Sequence, residues 1–199
     1  MKSLVDHLSQ YAAYHRDPHN IATHFVGIPL IVIAVATLLS RPQWMGISPA
    51  VLVMLASAVF YLRLELRLGL LMTLLLALTV WLGHALAGLG TAAWLGWGIG
   101  LFVVGWVFQF VGHYYEGRKP AFIDDVTGLI VGPLFVVVEL GFLLGWREDL
   151  RRVLAGAARD ASARLQIVRQ CHQGADHPVH PAMPETEYLK AFLVRGWKG

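Results

Sequence analysis

Charged residues are scarce in this sequence, and their scarcity argues against an ordinary soluble protein. Asp, Glu, Lys and Arg make up 15% of the 199 residues, whereas ordinary soluble domains carry about 25%. Hydrophobic residues make up 56% of the chain, and the mean hydropathy is +0.57. The composition predicts an integral membrane protein, and the length suits one helical bundle followed by a tail.

Cysteine and the common catalytic motifs of soluble enzymes are also scarce. The one cysteine, Cys171, forms no intramolecular disulfide, which agrees with a thiol-reducing side for the tail. The sequence contains no Gly-x-Ser-x-Gly elbow and no phosphate-binding glycine loop. The formal charge is +3, but the basic residues lie beside apolar runs and across the tail. They therefore indicate membrane orientation and not a nucleic-acid partner.

What the sequence does contain is a series of apolar runs that predict an all-α membrane bundle. The five runs lie at about 17–40, 44–62, 68–89, 91–115 and 126–146. The start of the chain lacks the features of a signal peptide, so we expect the first run to serve as the insertion signal. Residues 1–146 are predicted to form the bundle with its catalytic site.

Amphipathic segments flank the bundle at both ends. An N-terminal helix is predicted over 3–16, with Leu4, Leu8, Tyr11, Ala12 and His15 on its apolar stripe. A cytoplasmic tail is predicted over 147–199. It begins with a basic helix over 147–170 and continues as a loop with room for a short helix near 185–194.

The distribution of basic residues favours four membrane spans. The basic groups that the positive-inside rule places in the cytoplasm follow the second, fourth and fifth runs: Arg63 and Arg67, Arg118 and Lys119, and Arg147, Arg151 and Arg152. Four crossings put them all on one side with the N-terminus, and residues 126–146 are then re-entrant or shallow. A fifth crossing stays open, because long tails obey the rule weakly. We expect the membrane to be the inner membrane if the protein is bacterial and the endoplasmic reticulum if it is eukaryotic.

The start of the first long helix carries polar residues. Asp17 is predicted to cap the helix, and Pro18 occupies its first position, where the missing N–H costs nothing. Asn20 and His24 lie four residues apart on one face. Pro29 is predicted to kink the span or free a carbonyl above that face.

The fourth run ends in a second polar stripe, formed by Gln109, Gly112, His113 and Glu116 at helical spacing. Ionisable groups at membrane depth are costly and normally face a bundle interior, so this stripe predicts a functional site. The alternative is that His113 and Glu116 lie at the interface and only extend towards water.

Topology brings several histidines to one depth. His15, His19, His24 and His113 are all expected near the cytoplasmic surface, together with Glu116. His84 follows Leu68 by sixteen positions, a rise of about 24 Å, so we do not expect it in the same site.

Imidazoles beside a carboxylate suit a redox-active divalent metal. Either His24 and His113 with Glu116 hold it, or three or four imidazoles do so while Glu116, Asn20 and Gln109 orient them. Chance clustering of helix-packing histidines stays open. A second cluster, His172, His177 and His180 beside Cys171, fits a solvated loop better than a zinc site.

At these residues the chain resembles a known family, the membrane-embedded 2-hydroxy fatty acid dioxygenases, once a domain of unknown function. The matching positions span roughly residues 10–146: Tyr14-His15-Arg16, Asn20, His24, Gly27, Pro29, Gln109-Phe110, Gly112-His113, Glu116, Arg118, Pro120-Ala121, Gly132-Pro133, Phe135 and Glu139. The resemblance implies an Fe(II)-dependent enzyme that uses O2 to shorten a 2-hydroxy fatty acid by one carbon and releases CO2, as in phytosphingosine breakdown.

Carried over by position, the resemblance implies iron-site roles for His15, His24 and His113, with Glu116 as a ligand or as a partner of the ligands. His19 and the tail have no counterpart in it. Arg16, Arg118 or Lys119 is expected to attract the substrate carboxylate or to anchor a phospholipid headgroup. The acyl chain of the substrate is expected to stay among membrane lipids.

Two other functions compete with this one. A metal-dependent lipid hydrolase uses interfacial histidines and a carboxylate around zinc, and its activity needs no O2. A membrane scaffold or metal-handling protein uses the same polar residues only to hold helices together or to bind a metal without catalysis.

Overall fold

A computed structural model describes residues 2–117 and 127–156. Within these ranges every regular element is a helix, and the one β feature is an isolated bridge between Trp44 and Ile47. The prediction of an all-α membrane bundle is confirmed. The helices are α1 Leu4–Ala13, α2 Pro18–Ser40, α3 Pro49–Leu64, α4 Leu66–Ala87, α5 Thr91–Glu116, α6 Thr127–Leu143 and α7 Glu148–Gly156.

The beginnings of α1 and α2 follow from local capping. In α1, Ser3 accepts a hydrogen bond from the amide of Asp6, and the Asp6 carboxylate accepts one from the amide of Ser3, which is a capping box. In α2, the Asp17 carboxylate accepts the amide of His19 at 2.7 Å. Asp17 is therefore the cap that the Asp-Pro pair predicts.

Two predicted boundaries are wrong. The N-terminal helix ends at Ala13 and not at residue 16, so His15 lies in the connection to α2. The residue before a proline disfavours helical geometry, and Pro18 opens the next helix at once. The second apolar run becomes helical only at Pro49, because Trp44 and Ile47 close a turn, with Met45 at φ 51° and Gly46 at φ 79°.

The pairing of α2 with α5 forms the centre of the bundle, and glycines permit it. A Cβ on Gly105 would lie 2.9 Å from the carbonyl oxygen of Gly27, so backbone meets backbone here. A Cβ on Gly112 would collide with the hydroxyl of Thr23 and lie 2.5 Å from Oδ1 of Asn20. Small residues at such contacts let membrane helices approach closely.

An apolar core joins α1, α6 and α7 to the ends of α3 and α4. It contains Leu4, Leu8, Tyr11, Tyr61, Leu68, Met72, Val131, Leu134, Phe135, Val138 and Leu150. The amphipathic helix α1 therefore covers the bundle with its apolar stripe, as its periodicity predicts. At the same end Arg147 contacts Glu65 at 3.3 Å, which ties the start of α7 to the junction of α3 and α4.

Three helices are long and apolar enough to cross a membrane, namely α2, α4 and α5. The pair α6 and α7 is bent by 114° and adds a fourth span if it is counted as one broken span. Helix α3 is shorter: it has 16 residues and rises about 24 Å, less than the roughly 30 Å of the hydrocarbon core. The bend after α6 is compatible with the predicted re-entrant or shallow course of residues 126–146.

Several predicted features lie outside the described residues. They are Arg118 and Lys119, the tail beyond residue 156 and the group Cys171, His172, His177 and His180. The start of the predicted basic helix is present as α7.

Candidate metal centre

Three histidines from three parts of the chain meet at one end of the bundle. His15 comes from the connection between α1 and α2, His24 from the second turn of α2 and His113 from the last turn of α5. Each offers a ring nitrogen, and the three nitrogens lie within 4.8 Å of one another. All three residues are buried, with 3%, 1% and 6% of their surfaces exposed. Within the described residues, this is the group whose ligand atoms converge closely enough to hold one metal ion.

Backbone carbonyls select the tautomers of two of these histidines. The Nδ1 of His15 lies 2.8 Å from the carbonyl oxygen of Tyr11, and the Nδ1 of His24 lies 2.8 Å from that of Asn20. A carbonyl only accepts, so each Nδ1 carries the proton and donates it. The Nε2 of each neutral ring then presents a lone pair.

The two Nε2 atoms face each other at 3.0 Å. Two lone pairs at this distance repel unless a cation or a shared proton stabilises them. Burial lowers the pKa of His15, although the Tyr11 carbonyl and the charge of Glu116 oppose that effect, so a proton is disfavoured there. The donor set fits a divalent metal ion, since neutral imidazoles with the other nitrogen bonded to a carbonyl are typical metal ligands.

Glu116 contacts the backbone of the connection that carries His15. Its carboxylate accepts the amide of Arg16 at 2.9 Å, the amide of Asp17 at 2.8 Å and Nδ2 of Asn20 at 3.0 Å. The structure therefore places Glu116 beside the three histidines but outside the group of converging ligand atoms. Hydrogen bonds to a carboxylate are stronger than neutral ones, and the start of α2 favours a negative charge.

Tyr11 packs against His15, one of the three candidate ligands. Their rings stack with centroids 4.2 Å apart and an interplanar angle of 5°, and the tyrosine lines a cavity that also contains His24, Gln109 and His113. Burial raises the pKa of Tyr11, so its hydroxyl stays protonated and able to donate. The sequence accounts for Tyr11 only as part of the apolar stripe of α1. Its position four residues before His15 is the signal from which this contact was predictable.

Gln109 brings an amide to the same cavity. Only 6% of its surface is exposed, and its Nε2 has no hydrogen-bond partner within the described part of the chain. Gly27 provides the space, because a Cβ there would collide with that Nε2. A buried donor without a partner is costly, so Gln109 is available to a ligand in the cavity.

Of the other residues considered from the sequence, Asn20 and Arg16 contact Glu116, whereas His19 and His84 lie apart from the three histidines. Asn20 is buried and bonds to Glu116, while the side chain of Arg16 is on the exposed side of the connection and its amide bonds to Glu116. His19 is exposed, pairs with Asp17 and stacks on Tyr115, so it does not join the three ligands. His84 lies at the other end of the bundle, where it contacts Ser40 and Ser48.

Comparison with known proteins identifies the family of this chain. The model of a family described as 2-hydroxy-palmitic acid dioxygenase Mpo1-like matches residues 1–144, a range that includes all three histidines. The chain is 34% identical over 175 residues to the 2-hydroxy-palmitic acid dioxygenase MPO1 of Saccharomyces cerevisiae. That alignment covers 85% of this chain and 99% of the yeast protein.

A shorter similarity has no bearing on activity. The chain is 43% identical over 52 residues to ribosomal RNA large subunit methyltransferase I of Shewanella frigidimarina, but the match covers only 13% of that protein. No solved structure matches the chain. The family match and the nearly full-length alignment with the yeast enzyme show that this chain belongs to the Mpo1-like family of 2-hydroxy-palmitic acid dioxygenases.

Proposed function

We propose that this protein is an Fe(II)-dependent dioxygenase that removes one carbon from a 2-hydroxy fatty acid. The observation that carries the proposal is the pair of neutral imidazoles, His15 and His24, whose Nε2 atoms point at each other beside His113. Three histidines leave open coordination positions, as sites that bind substrates at a metal do. Family membership supplies the substrate class.

The proposed reaction balances without a further reductant. A 2-hydroxy acid and O2 give the acid one carbon shorter, CO2 and water. The bond between the carboxyl carbon and the hydroxyl-bearing carbon breaks, and the latter becomes the new carboxyl carbon. The substrate loses four electrons, and O2 takes up the same four. The reaction needs no nicotinamide or flavin.

His15, His24 and His113 would hold the iron, which would supply the chemistry that lets O2 react with the 2-hydroxy acid. The chain's own part is to hold three neutral nitrogens in place and to receive the substrate. Tyr11 and Gln109 line the cavity beside the ligands, and both have N–H or O–H groups to donate to a carboxylate or a hydroxyl. Arg16, on the exposed side, attracts the negative head of the substrate.

Glu116 and Asn20 act as positioning residues in this proposal. By accepting the amides of Arg16 and Asp17, Glu116 holds the connection so that His15 faces His24. Asn20 links the two, since its side chain donates to Glu116 and its carbonyl accepts from His24. Groups that orient metal ligands in this way affect metal affinity strongly.

We further propose that the metal centre lies at the cytoplasmic surface of the membrane. The end of the bundle that holds the histidines also holds Arg63, Arg67 and Arg147, beside Glu65, and positive charge favours the cytoplasmic side. The inner membrane of a bacterium or the endoplasmic reticulum fits this orientation. An interfacial site is within reach of a lipid substrate that enters from the membrane with its polar head at the water boundary.

The test combines metal analysis with an oxygen-dependent assay. The protein is purified in mild detergent, its metals are measured by elemental analysis, and it is incubated with 2-hydroxypalmitic acid with and without O2. We expect stoichiometric iron and O2-dependent formation of pentadecanoic acid and CO2. Zinc with lipid hydrolysis in the absence of O2 contradicts the proposal in favour of a hydrolase. Absence of any bound metal favours a scaffold.

A further inference from the structure

Two cavities between the helices of the bundle share one wall. The first, of about 70 Å³, contains the ligands His24 and His113. The second, of about 440 Å³, lies between α2, α3, α4, α5 and α6, and we call it the deep cavity. Five residues line both cavities: Ile31, Val32, Trp106, Leu129 and Pro133. The deep cavity therefore begins where the metal centre ends.

The walls of the deep cavity suit an apolar ligand. Most of its lining is aliphatic or aromatic, and two of its hydroxyl groups are already occupied. Tyr61 donates to the carbonyl of Ile130 at 2.6 Å, and Thr79 donates to the carbonyl of Leu75 at 2.8 Å. Its volume falls in the roughly 300–1,000 Å³ range of ligand pockets.

The deep cavity is also long. Along α2 its lining extends from Ile31 to Leu39, and Leu39 lies fifteen positions after His24, which corresponds to a rise of about 22 Å. One leaflet of the hydrocarbon core is roughly 15 Å thick. A ligand with its head at the histidines and its tail filling the cavity therefore has a long chain.

We propose that the deep cavity holds the alkyl chain of the 2-hydroxy fatty acid, and that its far end sets the longest chain the enzyme accepts. The proposal rests on the proposed function, because it places the hydroxyl and carboxyl groups at the metal centre. The chain passes Ile31 and Trp106 and extends towards Leu39, Ala50 and Val80. In this proposal the alkyl chain lies between the helices and not in the surrounding lipid, so the protein limits the length of the chain.

The first test shortens the deep cavity from one side. Val35 is half-buried, lines the cavity and lies eleven positions after His24, about 16 Å along the helix. In Val35→Trp the indole blocks the far end. We expect the KM for 2-hydroxypalmitic acid to rise about tenfold, while 2-hydroxyoctanoic acid, which is too short to reach Val35, keeps its wild-type KM. Ser57→Trp, from α3, is a second variant with the same expectation.

Val103→Trp is the matched control. Val103 lies on α5 between Gly98, which meets Leu38, and Gly105, which meets Ile31, so its depth is close to that of Val35. Its side chain faces outwards, with 53% of its surface exposed. The control is expected to keep the wild-type preference for chain length. An unchanged preference in folded Val35→Trp and Ser57→Trp overturns the proposal.

The second test needs no turnover and so separates the two proposals. With O2 excluded, the purified protein in detergent is irradiated with a 2-hydroxy fatty acid that carries a diazirine at the end of its chain. We expect labels on Met54, Leu76 or Val80, and we expect excess 2-hydroxypalmitic acid to suppress them. Labels confined to the outward-facing Leu74 and Val103, or labels that the excess acid does not suppress, indicate surface lipid and overturn the proposal. If the wild type binds the probe in the cavity but converts no 2-hydroxy acid, the proposed function fails and the cavity assignment stands.

Discussion

At the residue scale, the candidate ligands His15 and His24 differ from His84 in what the Nε2 ring nitrogen contacts. In His15, His24 and His84, Nδ1 donates to a backbone carbonyl, that of Tyr11, Asn20 and Val80, respectively. In His84, however, Nε2 lies 3.2 Å from the hydroxyl of Ser48, which occupies its lone pair. In the other two, each Nε2 faces only another imidazole nitrogen. The Nδ1 contact is alike in all three, although His84 is only half-buried, and the neighbour of Nε2 differs.

Replacing a ligand histidine is expected to remove the metal. In His24→Ala or His113→Ala, two imidazoles remain, and we expect metal affinity to fall by at least about 100-fold, since even groups that only orient ligands cost 10–100-fold. Elemental analysis and turnover of 2-hydroxypalmitic acid measure the two effects. His84→Ala and His19→Ala serve as controls, and both are expected to keep the metal. Full iron content in His113→Ala contradicts the assigned site.

Glu116 is expected to affect the metal centre without being a ligand. Glu116→Gln keeps the shape and one acceptor oxygen but loses the charge, whereas Glu116→Ala leaves the amides of Arg16 and Asp17 without their acceptor. We expect metal affinity to fall by about tenfold in the first variant and by about 100-fold in the second. Iron titration of the metal-free protein gives both values. Equal and complete loss of metal in both variants indicates instead that Glu116 coordinates directly.

At the scale of elements, the close packing of α2 against α5 holds His24 and His113 at one depth. Gly112 lies against Thr23 and Asn20 of α2, one residue before His113. Gly105 meets Gly27 two turns deeper. Any side chain at these positions separates the helices, and the ligands move apart with them. Interiors packed this closely do not absorb extra methyl groups without strain.

Enlarging one of these glycines is expected to lower stability and metal affinity together. For Gly112→Val we expect a loss of about 1–3 kcal/mol in the free energy of unfolding, because the added methyl groups overpack the contact. Gly100→Val, on the same helix but with no neighbour within 4 Å of its Cβ position, is the control. Thermal unfolding in detergent, followed by circular dichroism, compares the two. Equal stability in both variants contradicts a close contact between α2 and α5 at Gly112.

At the scale of the whole molecule, the end that carries the candidate metal centre is closed by contacts between distant segments. Arg147, which follows α6, contacts Glu65 between α3 and α4, and Leu150 of α7 joins the core that contains Leu4 and Leu8 of α1. Trp146 turns back so that its amide donates to the carbonyl of Gly141 at 2.8 Å. The bend between α6 and α7 therefore seals the same end of the bundle at which the histidines meet.

This closure is expected to weaken in acid. Burial raises the pKa of Glu65, but the amides of Leu68 and Arg67 and the Arg147 guanidinium outweigh it and hold the pKa below its ordinary value of 4.5. A carboxylate with a depressed pKa stabilises the fold above its ordinary value, and this stabilisation is lost as pH falls through the folded value. We expect Glu65→Gln to be less stable than wild type at neutral pH and to approach it below pH 4.5. Thermal unfolding across this pH range checks the convergence, and a constant difference contradicts it.

Much of the fold was predictable because its signals are local. Runs of apolar residues predict α4 and α5 to within two residues at each end, and the Asp17-Pro18 pair predicts the start of α2. The shorter α3 was not predictable from hydropathy, because the turn at Trp44–Ile47 is as apolar as the helix that follows it. The end of α1 depends on how the chain enters α2 at Pro18, and the spacing of apolar residues carries no information about that connection.

The sequence by itself determined which residues are too polar for lipid and on which helices they lie, because helical spacing and the cost of burying charge act over a few residues. Only the tertiary structure decided that Nε2 of His15 faces Nε2 of His24, and that Glu116 holds the backbone one hundred positions before it. Both arrangements depend on how closely α2 approaches α5. That distance is set by packing between residues far apart in the chain, and no local pattern encodes it.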